Sequence, residues 1–333
     1  MDTIYIEQDI AKHPRTLQIL ERYPKAAHVY CERYGEIFNR KAQNFRLQKK
    51  SPSLILARKF KNFVLEAPLS YNIGGQRNYY FSHMLNCLYD CRYCFLQGMY
   101  RSANYVLFVN YEDFDQAIID KTNEAPNEPC YFFSGYDCDS LAMESITGFA
   151  AHTLDVFEKN PNAWLELRTK SIAIKGLLQR KPIPNAVVAY SLSPDLVALA
   201  TEHKAPSLAR RLDAIEKLQQ HGWTVGLRFD PLMYSTDYQS IYREFFEQVF
   251  ARVGISSLHS VSLGTFRMPE GFFRNMVKLY PEEKIFAGPM QENKGMVSYE
   301  RQLETSMFSY CQQQLLAYIP ESIYFPCNDE AGA

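Results

Sequence analysis

From about residue 79 onward, short apolar runs alternate with longer stretches whose apolar positions recur every three or four residues. The short runs, 79–85, 130–133, 164–168, 186–192, 224–229 and 258–263, are rich in β-branched and aromatic side chains and read as strands. A further short extended run covers 105–109. The stretches 112–121, 142–159, 171–179, 207–221 and 238–253 carry helical periodicity. Strands alternating with helices predict a parallel sheet. Six such units make the expected fold α/β, a partial (β/α)6 barrel whose site lies at the C-terminal ends of the strands. Residues 1–75, punctuated by Pro14, Pro24, Pro52 and Pro68, read as a mostly helical N-terminal region. Residues 76–265 read as the barrel, and 266–333 as a C-terminal cap containing a helix over 298–319.

Composition adds limits. With 333 residues, 47% of them hydrophobic, the chain can bury a large core. It has no apolar run long enough to predict a membrane span. Its start, MDTIYIEQDIAKHP, has no basic opening and no apolar core of a secretory signal, so the expected compartment is the cytoplasm. The eight cysteines are then expected to be reduced, available for metal, catalysis or burial. A net charge of −1 makes no whole-chain case for nucleic acid. Locally, however, 37–65 has no acid and contains Arg40, Lys41, Arg46, Lys49, Lys50, Arg58, Lys59 and Lys61. Such a segment can neutralise phosphates, or it can be a solvated face balanced elsewhere in the fold.

The strongest local signal is CLYDCRYCF, in which Cys87, Cys91 and Cys94 are spaced C-x3-C-x2-C. Three thiolates on one loop can hold three irons of a 4Fe–4S cluster and leave the fourth open to a ligand. A structural zinc site needs a fourth ligand, here His83 or a remote cysteine. Three ordinary buried thiols are the bland alternative.

The triad follows a candidate first strand, and Tyr93 precedes its last cysteine. This resembles the radical S-adenosylmethionine (SAM) superfamily, whose motif is C-x3-C-x-aromatic-C. The match extends further. YCFLQGMY, YVLFVNYEDF, SGYDCDSLAMESITG, LRTKS, AYSLSPD and LRFDP are similar to successive segments of the spore photoproduct lyase family. The resemblance implies a 4Fe–4S cluster and SAM as cofactors, with Tyr93, Ser134, Gly135, Asp139, Ser140, Lys170, Ser191, Ser193 and Arg228 near SAM. It implies a thymine dimer in DNA as substrate, met by Arg267, Tyr89 and Phe95. It also implies an electron donor such as flavodoxin or ferredoxin; no membrane partner is expected, for want of a long apolar run.

In that family a cysteine returns a hydrogen atom to the product radical, and tyrosines complete the relay. Aligned without gaps, this cysteine falls on Tyr136, and Cys138 lies two residues further on. Such a shift in extended chain keeps the same face, moved by about 6–7 Å. Cys138, Tyr136 and the later Tyr299 are therefore the candidate catalytic residues. The mismatch leaves open a radical SAM enzyme with a different nucleic-acid lesion or a small molecule as substrate. The basic segment beside a cysteine triad also leaves open a non-enzymatic nucleic-acid-binding protein with a structural metal.

Overall fold

The computed structural model describes residues 1–68 and 71–327. Six parallel strands form the main sheet in chain order: β1 (Arg77–Phe81), β2 (Cys130–Ser134), β3 (Ala163–Thr169), β4 (Ala186–Ser191), β5 (Thr224–Leu232) and β6 (Leu258–Thr265). Leu65–Glu66 adds an antiparallel edge beside β1. Every residue of β2 and β4 is buried, because helices cover a parallel sheet on the outside and side chains fill it within. That is why these strands read as continuous apolar runs and not as alternating ones. The helices Tyr111–Asn123, Phe149–Lys159, Leu208–His221 and Tyr238–Phe250 supply the outer layer. The helical stretch expected over 142–159 is broken at Gly148, which takes φ +58° and separates Glu144–Thr147 from Phe149–Lys159.

The interior beneath the C-terminal strand ends is polar and paired. Glu166 and Arg168 on β3 share a face by strand period two. The Glu166 carboxylate takes Arg228 Nη2 of β5 at 2.7 Å and Arg168 Nε at 2.9 Å. Arg228 also donates to Ser260 Oγ at 2.8 Å. A Cβ on Gly226 would come within 2.8 Å of the Arg228 guanidinium, so the close approach needs glycine there.

The N-terminal region departs from the expected mostly helical form. Thr3–Glu7, Ala27–Cys31 and Leu54–Ala57 are strands of a second, mainly parallel sheet, in the order Ala27–Cys31, Thr3–Glu7, Leu54–Ala57, Tyr105–Phe108, Met84–Leu85. Leu54–Ala57 is buried throughout, and its four residues show no alternation that would mark a strand in isolation. The sheet does not stop at residue 75, since Met84–Leu85 and Tyr105–Phe108 complete it. Beyond β6, a three-stranded antiparallel sheet (Arg267–Pro269, Met296–Tyr299, Met290–Asn293) and the helix Arg301–Leu316 form the cap. No described helix is long and apolar enough to cross a membrane.

Candidate active site

A cavity of about 610 Å³ is walled by the ends of the barrel strands, the cysteine loop and the start of the cap. The cysteine loop forms one wall, with Cys87, Cys91, Cys94, Tyr89, Tyr93 and Phe95 all lining it. Its backbone is held at several points. Asn86, at φ +69°, donates its amide to the carbonyls of Ser102 and Asn104, each at 2.7 Å. Asp90–Cys91 pairs antiparallel with Glu202–His203, and the Arg92 N–H donates to the Thr201 carbonyl at 2.7 Å. The Tyr93 hydroxyl donates to Glu202, which also accepts from Ser193 Oγ at 3.0 Å and is ion-paired with Arg211. The side chains of Arg211 and Glu202 are 1% and 0% exposed.

Burial pushes the three thiols up, Cys87 to about 12, while the Lys170 ammonium opposes that rise at Cys91 and Cys94. Lys170 Nζ lies 5.4 Å from the Tyr93 ring centre. A cation facing thiols suits a group that thiolates hold, because it stabilises their charged form. Among the described residues no three His, Cys, Asp or Glu side chains are gathered tightly enough to hold a single metal ion. An iron–sulfur cluster asks for something else, one thiolate at each of three irons around a larger body. Three cysteines on one cavity wall fit that demand. The zinc alternative loses its nearest fourth ligand, because His83 is buried flat against Phe149, ring centres 3.6 Å apart, and does not line the cavity.

The turn after β2 forms the second wall. Gly135 has φ +89°, and a Cβ there would stand 2.7 Å from Ser140 Oγ. Ser140 Oγ donates to Ser134 Oγ at 3.0 Å, so these two serines fasten the turn from behind and do not line the cavity. The Asp139 carboxylate accepts from the N–H groups of Leu141 and Ala142, from Thr169 Oγ1 at 2.7 Å and from the Lys170 N–H at 2.7 Å. It thereby ties the turn to the end of β3. Tyr136 and Cys138 both line the cavity. The Tyr136 ring packs at 4.4 Å from Tyr80, 5.7 Å from Phe95 and 5.9 Å from Tyr71.

Ser191, Asp230 and Arg168 complete the strand ends, and Arg168 Nη1 donates to Tyr71 Oη at 2.7 Å. Arg267, Phe266 and Phe272 bring the cap to the rim.

Besides Ser134 and Ser140, three more residues expected at the site stand elsewhere. Arg228 is fully buried below the cavity, its donors directed to Glu166, Ser260 and the Leu227 carbonyl, which leaves it no route to a SAM molecule. Ser193 belongs to the Glu202 network. Tyr299 sits behind Phe266, ring centres 6.1 Å apart, and its hydroxyl accepts the Tyr234 N–H at 2.9 Å. Sequence reasoning missed Glu202, Arg211, Tyr71 and Tyr80. Glu202 and Tyr93 are 109 residues apart, and no spacing links them.

The family described as Spore photoproduct lyase matches residues 3–315. A spore photoproduct lyase of Bacillus subtilis (strain 168) is 23% identical over 294 residues, covering 85% of this chain and 83% of that one. One from Clostridium acetobutylicum (strain ATCC 824) is 20% identical over 209 residues, 62% of each chain. A solved spore photoproduct lyase variant with bound AdoMet and dinucleoside spore photoproduct superposes with a TM-score of 0.85 at 16% identity, over 98% of both chains. Another, complexed with dinucleoside spore photoproduct, gives 0.84 at 15% identity, again over 98% of both. The solved structures share the fold, and the match runs from the first strand into the cap helix: this chain belongs to the spore photoproduct lyase family.

Proposed function

We propose that the protein is a radical SAM lyase that reverses a thymine dimer of the spore photoproduct type in DNA. The observation that carries this reading is one cavity shared by the three motif cysteines, Lys170, Ser191, Tyr136 and Cys138. Relatives solved with AdoMet and with the dinucleoside lesion support it. A bound 4Fe–4S cluster would supply the electron for reductive cleavage of SAM, and so the radical that takes a hydrogen atom from the dimer.

Cys87, Cys91 and Cys94 would hold the cluster. Lys170 supplies positive charge for the SAM carboxylate, and Gly135 and Ser191 offer backbone and hydroxyl groups beside it. Asp139 is a positioning residue, since its carboxylate accepts four hydrogen bonds that tie the turn to Thr169 and Lys170. Tyr80, Tyr136 and Phe95 form an aromatic wall on which an extruded base can stack, and Arg267 at the rim suits its phosphate. Burial keeps the Cys138 thiol protonated, so an S–H bond is available to return hydrogen to the product. Tyr299, sealed behind Phe266, has no part in this reading. The reducing cytosol is the compartment in which a thiolate-held cluster persists.

The test is anaerobic reconstitution with SAM, dithionite and a synthetic spore-photoproduct dinucleotide. Both 5′-deoxyadenosine and thymidylyl-thymidine are expected in one chromatogram. Deoxyadenosine without the repaired dinucleotide would move the substrate to a different lesion or a small molecule, the reading that Tyr136 at the family's cysteine position favours.

A further inference from the structure

A second cleft, of about 750 Å³, lies against the same cysteine loop. Tyr89, Cys91 and Tyr93 line the cavity, whereas Asp90 and Arg92 line the cleft, and the two spaces share no lining residue. The loop is thus a partition between them. Five cations line the cleft: Arg46, Lys49, Lys50, Arg92 and Lys204. Asp90, Glu282 and Glu283 answer Arg46, Lys49 and Arg92. Lys50 and Lys204 are exposed and form no ion pair among the described residues. Leu47 stands in the same lining with 62% of its surface exposed.

We propose that this cleft is the docking surface for a small acidic one-electron carrier protein. The proposal rests on the reading that Cys87, Cys91 and Cys94 hold a redox cluster, and it adds the face through which that cluster is reduced. One electron leaves the reduced carrier and enters the cluster, and no bond or proton need move. A carrier seated in the cleft is separated from the cysteines by the loop itself, while the cavity stays open for the lesion. Excess positive charge steers an acidic partner and sets its approach. An exposed leucine ringed by cations is suited to an apolar protein contact with a charged rim, and a phosphate backbone offers such a residue nothing.

The experiment uses the reconstituted holoenzyme, oxidised and reduced flavodoxin as the carrier, and two variants, Lys50→Glu/Lys204→Glu and Leu47→Asp. Calorimetry measures flavodoxin affinity at several salt concentrations, and 5′-deoxyadenosine formation is followed with reduced flavodoxin and, separately, with dithionite. The double reversal is expected to weaken flavodoxin binding about tenfold or more and to flatten its salt dependence. Flavodoxin-driven SAM cleavage is expected to fall in step, with dithionite-driven cleavage unchanged. Leu47→Asp is expected to weaken binding as well, through loss of the apolar contact, and to change the salt slope less than the double reversal, because it alters one unit of charge and not four. Unchanged flavodoxin affinity in both variants overturns the proposal. So does a loss of affinity for lesion-bearing duplex with flavodoxin binding intact, which would give the cleft to DNA. If the unaltered protein fails to cleave SAM even with dithionite, the cluster reading fails and the proposal with it. A failure confined to flavodoxin leaves the cluster reading standing.

Discussion

Replacing Glu202 by glutamine removes one charge and almost no volume from beneath the cysteine loop. The carboxylate lies between the Arg211 guanidinium, the Tyr93 hydroxyl and Ser193 Oγ, and both members of the ion pair are buried. Glutamine keeps an acceptor oxygen for Tyr93 and Ser193, so the change isolates the charge. Arg211 then remains as a buried cation whose other bonds run only to the carbonyls of Ser191 and Pro206. Breaking such a pair on one side costs about 3–5 kcal/mol. Urea unfolding of the cluster-free protein, followed by tryptophan fluorescence, reads this loss directly, because Trp223 is fully buried in the same domain. The double variant Glu202→Leu/Arg211→Met is expected to be more stable than Glu202→Leu alone, because it removes the stranded charge as well. A loss under about 1 kcal/mol for Glu202→Gln, or a double variant weaker than the single, would refute the reasoning.

The acid limb of stability should depend on Glu166. Although burial works against its charged form, Arg228 and Arg168 hold its carboxyl at about 2. A depressed folded pKa contributes stability that is present above the unfolded value of about 4.3 and lost as pH falls toward the folded one. The stability gap between wild type and Glu166→Gln should therefore narrow from pH 5 to pH 2, and a gap that stays constant would remove the ion pair from the account. Gly135→Ala should cost about 1–3 kcal/mol, given φ +89° and a Cβ 2.7 Å from Ser140 Oγ. Gly148→Ala, with positive φ but open space, should cost only about 1–2 kcal/mol, and thermal melts showing the reverse order would discount the clash. Cys138→Ala should continue to form 5′-deoxyadenosine while the yield of repaired dinucleotide falls about tenfold or more. Tyr136→Phe sorts the alternatives: if it, and not Cys138→Ala, stops repair, the phenol is the hydrogen donor.

The barrel was legible because its strands are buried on both faces. Runs such as CYFFS and AVVAYS carry no charge, and their one serine each stands at the strand end, so nothing confuses them with surface helix. The N-terminal sheet was not, since LILA is only four residues long and acquires its strand character from neighbours on either side. At the site, contiguous motifs such as the cysteine triad and the 134–140 turn were visible, and most of their residues do meet in one cavity. Arg228 shows the limit of reading residue types at strand ends. Its neighbour Gly226 clears room for the guanidinium, and period two aims it at Glu166, but neither is apparent until β3 and β5 are aligned through β4. Glu202 and Arg211 were invisible for the same reason, because their partner Tyr93 is brought to them only by the fold.

The cysteine loop obeys a rule of parity. Between Tyr89 and Tyr93, odd-numbered side chains face one compartment and even-numbered ones the other. Asp90–Cys91 is paired with Glu202–His203, so a one-residue slip of that short ladder would exchange a thiol for a charge, turning Cys91 outward and Asp90 inward. The spacing of the middle cysteine is thus fixed by more than the reach of a ligand. It also decides which of two compartments receives the sulfur and which receives the charge.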